Sequence, residues 1–363
     1  MGALAAWRLA GRGLKVTGIE RFHPGHDLGS SHGDTRIFRT AYFESPEYVP
    51  LLREAHDLWR RLESESGAEL LTETGGLMIG TPDSALIKGV LLSANQGSLP
   101  HRLLTREEMG RFYPQHRLAE DEVAVFEQHA GFLRPERAVV AACARAEALG
   151  AKLVTGTVAT ALYATSDGVT VETSRGDFSA RAVLVTAGAW TNQLVPALHL
   201  PLAIERKVQV WLSVDDPDAF APSRFPIFIR ELPGSRMRYG FPTTDGRSIK
   251  LAFHHEGSPA DPDTIDRTIH EEDTRPLQEF AQSWLAGAGA AVLRGAVCMY
   301  TNTPDERFIV ASSAELPRVT VLSACSGHGF KFASVLGELM AAHLLEERPI
   351  PSIIRTAITA SAC

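Results

Sequence analysis

Gly2-Ala-Leu-Ala-Ala-Trp-Arg-Leu-Ala-Gly-Arg-Gly-Leu-Lys-Val-Thr-Gly-Ile-Glu20 is the stretch from which the fold is read. Residues 2–13 are small and apolar enough for a short helix, and Gly13 after Arg12 suits a C-cap. Residues 14–20 then read as a strand that ends on an acid. Helix, glycine turn, strand and terminal Glu make up the second half of a dinucleotide-binding βαβ unit. In the full unit a G-x-G-x-x-G turn opens the helix, and an acid about 20 residues on meets a ribose hydroxyl. Gly2 suits the third glycine, and Glu20 follows it by 18 residues. The first strand and first two glycines of such a unit are not in the sequence, so a parallel sheet short of its middle strand is expected.

Further along, 29–39 is a polar, glycine-bearing loop, and 47–62 carries apolar residues at helical spacing. Strand-like 76–80 and helices at 83–94 and 135–149 follow. The segments 152–155, 157–162, 168–174 and 178–180 read as strands, the last three as a hairpin-like run that leads into 182–190. From 206 to 254 the pattern turns to short alternating strands at 207–214, 226–231, 237–241 and 249–254, an antiparallel sheet by period and turn chemistry. A polar helix is expected at about 262–285. Strands at 307–312 and 319–324, a glycine turn at 326–330 and a helix at 331–346 close the chain in α/β style.

The chain has 363 residues, which at roughly 150 per domain suggests two domains. Their α/β ends and antiparallel centre imply interleaving: residues 1–72, 130–205 and 305–363 in one, 73–129 and 206–304 in the other. The fold class expected is α/β (α+β), Rossmann-like with an interleaved antiparallel-sheet domain. A net charge of −7 argues against a general nucleic-acid binder, which needs a basic surface. No apolar run reaches the roughly 18–20 residues of a membrane helix, and the N-terminus lacks the order of a signal peptide. Cys143, Cys298, Cys325 and Cys363 are scattered, which suggests neither a zinc site nor a disulfide framework, and a reducing cytoplasm is the expected compartment.

Two segments carry chemistry on their own. Ser326-Gly-His-Gly-Phe-Lys-Phe332 follows a strand and opens a helix. Such a turn aims free N–H groups and a positive dipole end at whatever lies above it, and Lys331 adds a full charge. A glycine-relieved turn with a surface lysine fits the same residues. In 29–39, Arg36 and Arg39 at i, i+3 would share one face of a helical turn and offer forked donors to a carboxylate or phosphate. A solvated basic turn, with His32 as a structural hydrogen-bonder, is the alternative. Cys298, among small and apolar neighbours, reads as an inert core filler. No G-x-S-x-G, His-Glu-x-x-His or phosphate-binding P-loop occurs, so hydrolase, metalloprotease and NTPase readings lack support.

Ser-His-Gly-Asp-Thr-Arg at 31–36, Tyr-Gly-Phe-Pro at 239–242, Gly-Ala-Val-Cys-Met-Tyr-Thr at 295–301 and Ser-Gly-His-Gly-Phe-Lys-Phe at 326–332 occur in that order. Together they resemble the monomeric sarcosine oxidase / N-methyl-L-tryptophan oxidase family of flavoproteins, from Gly2 to about residue 350. The resemblance implies a Rossmann-like FAD-binding domain and oxidative demethylation of an N-methyl amino acid by O2. Cys298 matches the cysteine joined to the flavin, making FAD covalent. Glu20 matches the ribose acid; His32, Thr35 and Arg36 lie over the isoalloxazine and pyrophosphate. Gly2, Val158, Ala187, Gly188, Gly327, Gly329 and Phe330 match further cofactor contacts. Arg39 and Lys331 match the pair that grips the substrate carboxylate, and Lys331 also lies beside the cofactor. Tyr239, His254 and Tyr300 match the cavity lining, and Lys250 matches the lysine credited with activating O2. No metal is implied; a cytoplasmic monomer that binds neither nucleic acid nor membrane is. Residues 332–338 lean towards the N-methyltryptophan branch. A fructosyl amino acid or pipecolate oxidase, or a catalytically silent flavin-fold remnant, are the other readings.

Overall fold

In the computed structural model, which describes residues 1–254 and 256–359, the largest sheet has nine strands drawn from 76–127 and 203–302. Cys363 and the end of the 305–363 segment lie outside the described residues. Seven of the strands follow one another as Ala203–Val214, Ser248–Phe253, Arg236–Phe241, Ile227–Leu232, Gly76–Gly80, Val123–Glu127 and His101–Leu104. Ala288–Asn302 pairs with the first of these, and Ser258–Pro259 adds a short edge. Only Ile227–Leu232 against Gly76–Gly80 is parallel among the described pairs of this sheet.

Successive strand side chains point to opposite faces, so register decides what each face carries. One face takes Val208, Val210, Leu212, Ile249, Leu251, Phe228, Leu77 and Ile79, which pack on Leu277, Phe280 and Ala281 of the helix Glu271–Trp284. The opposite face takes Lys207, Gln209 and Trp211, with Cys298 across from Lys207, Lys250 across from Trp211, and Tyr239 one strand further on. Lys207, Gln209, Trp211, Lys250 and Cys298 are all buried. The polar half of the alternation therefore faces the interior of the molecule, not water.

The remaining chain is layered α/β. Thr17–Ile19 runs parallel to Lys152–Val154, and Val183–Val185 runs parallel to Val319–Ser323, which continues to Ile309–Ser313 and Arg355–Thr359. These two pieces are separate sheets, with no ladder between them among the described residues. The helices Gly2–Ala10, Val49–Ser66, Pro135–Ala148 and Ala333–Leu344 share one apolar core built on Leu4, Trp7, Trp59, Ala142, Leu336 and Met340. A Cβ on Gly337 would lie 2.7 Å from the Leu4 carbonyl carbon, so glycine sets how closely the first and last of these helices approach. Among the described residues no helix is long and apolar enough to cross a membrane.

Several local expectations change. The first helix ends at Ala10 with Gly11 as its cap, and Gly13 instead turns the chain at φ +76°. The following strand shortens to Thr17–Ile19. The helix expected from about 262 begins at Glu271. Ahead of it, Asp261 accepts the N–H groups of Asp263 and Thr264, and Asp266 accepts that of Thr268. Such side-chain turns compete with helical hydrogen bonds until His270 and Asp273 form a capping box. Arg36 lies in the strand Arg36–Phe38, so it does not share a helical face with Arg39.

Candidate active site

The loop before Arg36 lies against the polar face of the large sheet. Lys250 Nζ donates to the carbonyls of Gly33 and Thr35, 2.7 Å to each, and lies 4.1 Å from the Phe241 ring centre. A Cβ at Gly33 would collide with the Gln209 amide, so the close approach requires glycine there, at φ +94°. Arg36 donates to the carbonyls of Ser30 and Thr35, and its Nη2 lies 3.4 Å from Cys298 Sγ. Burial and Arg36 push Lys250 well below the usual lysine range. Burial and Arg36 likewise push His32 down to about 3.

A cavity of about 60 Å³ opens beside this loop, lined by Arg36, Arg39, Glu44, Tyr239, His254, Tyr300 and Lys331 among others. Arg36 and Arg39 reach it from the end of a strand and the turn after it, where the expected helical face would have placed them side by side. Tyr239 and Tyr300 hydroxyls are 3.5 Å apart, and the His254 ring stands edge-on to both. Arg39 is held by both oxygens of Glu44, at 2.9 and 2.7 Å. Burial raises the Glu44 carboxyl, but Arg39, His328 and Lys331 outweigh it and leave it below its ordinary value. Lys331 donates to the His328 carbonyl at 2.8 Å; burial, then Arg39, push it down to about 7.

Tyr42 lies beside both cations, with Arg39 at 4.2 Å and Lys331 at 5.2 Å from its ring centre. Its hydroxyl is 2.6 Å from His328 Nδ1, and His328 Nε2 is 2.9 Å from the Glu306 carbonyl. A carbonyl only accepts, so Nε2 carries the proton and Nδ1 accepts from Tyr42. The turn that carries Lys331 is fixed from behind as well: Phe330 stacks on Trp59, whose indole N–H donates to the Lys331 carbonyl. A Cβ on Gly327, at φ +74°, would enter the Tyr300 ring.

The other sequence-derived residues lie away from this cavity. Glu20 follows the strand Thr17–Ile19; its carboxylate accepts the Phe22 N–H, and its carbonyl accepts from Thr157, next to Val158. Gly2 opens the first helix against Thr186, with Ala187 and Gly188 just beyond. Gly329 packs on the Ala324 carbonyl. Sequence reasoning passed over Tyr42, Glu44, His328, Lys207, Gln209 and Trp211. The last three carry a signal: Lys-Val-Gln-Val-Trp alternates, so all three share the face of Lys250.

Residues 1–343 match the FAD dependent oxidoreductase family. The chain belongs to that family. It is 40% identical to monomeric sarcosine oxidase of Streptomyces avermitilis over 345 residues, covering 94% of this chain and 90% of that protein. It is 36% identical to N-methyl-L-tryptophan oxidase of Yersinia pestis over 355 residues, covering 97% and 94%. Among solved structures it is similar to NikD, an amino acid oxidase essential for nikkomycin biosynthesis. That match has a TM-score of 0.85 at 24% identity, over 97% of this chain and 93% of that one. This member of the FAD dependent oxidoreductase family is thus an FAD-dependent amine or amino-acid oxidase, an α/β protein with a Rossmann-like cofactor domain and an interleaved antiparallel-sheet domain.

The residues present fit FAD. His32 Nε2, Thr35 Oγ1, Gln209 Oε1 and Thr301 Oγ1 are buried without a hydrogen-bond partner among the described residues. Buried polar atoms are otherwise almost always paired, so polar groups of a ligand are the partners this region calls for. The helix Gly2–Ala10 has no side-chain cap, which leaves its first N–H groups for an anion such as a pyrophosphate.

Proposed function

We propose that this oxidase demethylates an N-methyl amino acid, sarcosine or N-methyl-L-tryptophan, with O2. The cavity that gathers Arg39 and Lys331 with Tyr239, His254 and Tyr300 is the observation that carries the proposal. The N-methyl C–N bond is oxidised to an imine, which water hydrolyses to the free amino acid and formaldehyde. O2 takes the two electrons and two protons and leaves as H2O2. Bound FAD supplies the two-electron chemistry.

The chain's own residues bind, orient and desolvate. Arg39 and Lys331 hold the substrate carboxylate from two directions, which fixes the methyl carbon relative to the cofactor. Glu44 occupies Arg39 until that carboxylate replaces it. A bound carboxylate favours the charged form of Lys331, whose proton is otherwise only loosely held at neutral pH. The rings of Tyr239, His254 and Tyr300 enclose the amine and exclude water. Lys250 offers a buried N–H donor for the negative charge that develops as O2 is reduced, and that charge in turn favours its ammonium form.

Cofactor contacts are proposed for Gly2, Glu20, His32, Thr35, Arg36, Val158, Ala187, Gly188, Gly327, Gly329, Phe330 and Lys331, with covalent attachment through Cys298. The buried sulfur, 3.4 Å from Arg36 Nη2 and on the sheet face that carries Lys250, supports that attachment. We also assign residues 1–72, 130–205 and 305–363 to the cofactor domain, 73–129 and 206–304 to the substrate domain, and the whole to a cytoplasmic monomer.

Purified holoenzyme is offered sarcosine and N-methyl-L-tryptophan separately, with peroxide and formaldehyde both measured. Release of both products from at least one of the two substrates is expected. Silence with both substrates, alongside turnover of a fructosyl amino acid or pipecolate, would overturn the proposal.

A further inference from the structure

Glu136 lies in the first turn of the helix Pro135–Ala148, half-buried and outside the cavity. Its Oε1 accepts the backbone N–H of Gly33 at 2.6 Å and that of Asp34 at 3.1 Å. Gly33 and Asp34 have φ of +94° and +66°, two successive left-handed residues, the second of them not glycine. That conformation turns consecutive N–H groups towards one anion, and a non-glycine residue adopts it at a cost that something must offset.

The peptide between these residues links the carboxylate to the sheet. In a trans peptide the N–H and C=O point in opposite directions within one plane. Holding the Asp34 N–H on Glu136 therefore aims the Gly33 C=O the other way, where it accepts from Lys250 Nζ at 2.7 Å. The next carbonyl but one, Thr35 C=O, completes the same grip at 2.7 Å. On the outer side, Arg294 ties down the Asp34 side chain at 2.6 Å.

We infer that Glu136 is a positioning residue that, through the Gly33–Asp34 peptide, fixes the Lys250 ammonium for the oxygen half of the reaction. The inference rests on the reading of Lys250 as the cation that assists O2 reduction.

The test uses holoenzyme carrying Glu136→Ala, Glu136→Gln or Lys250→Met. Two quantities are read: amide hydrogen exchange at Gly33 and Asp34, and the rates of anaerobic reduction by sarcosine and of reoxidation by O2. Losing the carboxylate in Glu136→Ala should speed exchange at both amides about tenfold and slow reoxidation about tenfold, with reduction changed less than about threefold. Glu136→Gln keeps an acceptor in place and should retain the protection and most of the reoxidation rate. Unchanged exchange in Glu136→Ala, or equal slowing of both half-reactions, would overturn the inference. Reoxidation unaffected by Lys250→Met would instead overturn the reading of Lys250, whereas the exchange result would still report on the Glu136 clamp.

Discussion

Replacing Lys331 by methionine removes one of the two cations assigned to the substrate carboxylate while keeping a side chain of similar length. A charge-assisted hydrogen bond to a buried carboxylate contributes roughly 1.5–3 kcal/mol. Its loss should lower kcat/KM for an N-methyl amino acid roughly 10- to 160-fold at pH 6. The pH dependence makes the test sharper, because Lys331 sits at about 7 in the free protein. Below that pH the ammonium is already present when substrate arrives. Above it, binding must first draw a proton onto the amine, at about 1.4 kcal/mol per pH unit. By pH 9 that cost is about 2.7 kcal/mol and cancels most of the contact. The ratio of wild type to Lys331→Met should therefore be flat up to about pH 6.5 and fall about tenfold per unit above 7. Taking the ratio cancels the ionisation of the substrate's own amine. Initial rates of peroxide production from pH 6 to 9 measure it. A large ratio that stays constant to pH 9, or an equal loss with a secondary amine lacking a carboxylate, would refute the argument. Stability gives an independent sign. A lysine lowered from 10.5 to about 7 by burial costs the fold stability below pH 7, and the cost fades as pH rises towards 10.5. Lys331→Met should thus unfold no earlier than wild type at pH 6.

Three further outcomes follow from single contacts. Cys298→Ser should release flavin into the supernatant on acid precipitation, whereas wild type keeps a yellow pellet; flavin free in both would remove the covalent assignment. Tyr42→Phe leaves the buried Nδ1 of His328 without its donor, and should lower unfolding free energy by about 1–3 kcal/mol in denaturant titrations. Gly337→Ala places a Cβ 2.7 Å from the Leu4 carbonyl carbon and should cost about 1–3 kcal/mol, seen as a lower melting temperature.

How far the sequence could be read follows from the range of the interactions involved. Helices at 49–66 and 85–96 and the alternating strands of 203–253 are set by period and by local caps such as Ser84, and these were legible. The strands His101–Leu104, Val123–Glu127 and Gly131–Leu133 were not. They are short, and their partners lie elsewhere in the chain, as where Gly131–Leu133 joins Arg36–Phe38. The polar run ahead of Glu271 reads as helix in the sequence because hydrophobic period does not register Asx turns. In the site, the 29–39 loop and the 326–332 turn pointed to Arg39 and Lys331, the family resemblance alone pointed to Lys250 and to a cofactor role for Cys298, and nothing pointed to Glu44 or Tyr42. Those two are defined by what they touch: one pairs with Arg39, and the ring of the other lies near both Arg39 and Lys331.

Alternation along Lys207-Val-Gln-Val-Trp211 by itself determined that Lys207, Gln209 and Trp211 share one face, because successive strand side chains must point oppositely. In an ordinary antiparallel sheet that face would meet water. Only the tertiary structure decided otherwise, by laying the 29–39 loop over it and burying Lys250 on the carbonyls of Gly33 and Thr35. The strand pattern is local and survives any packing, whereas the environment of a lysine depends on which distant backbone replaces its water.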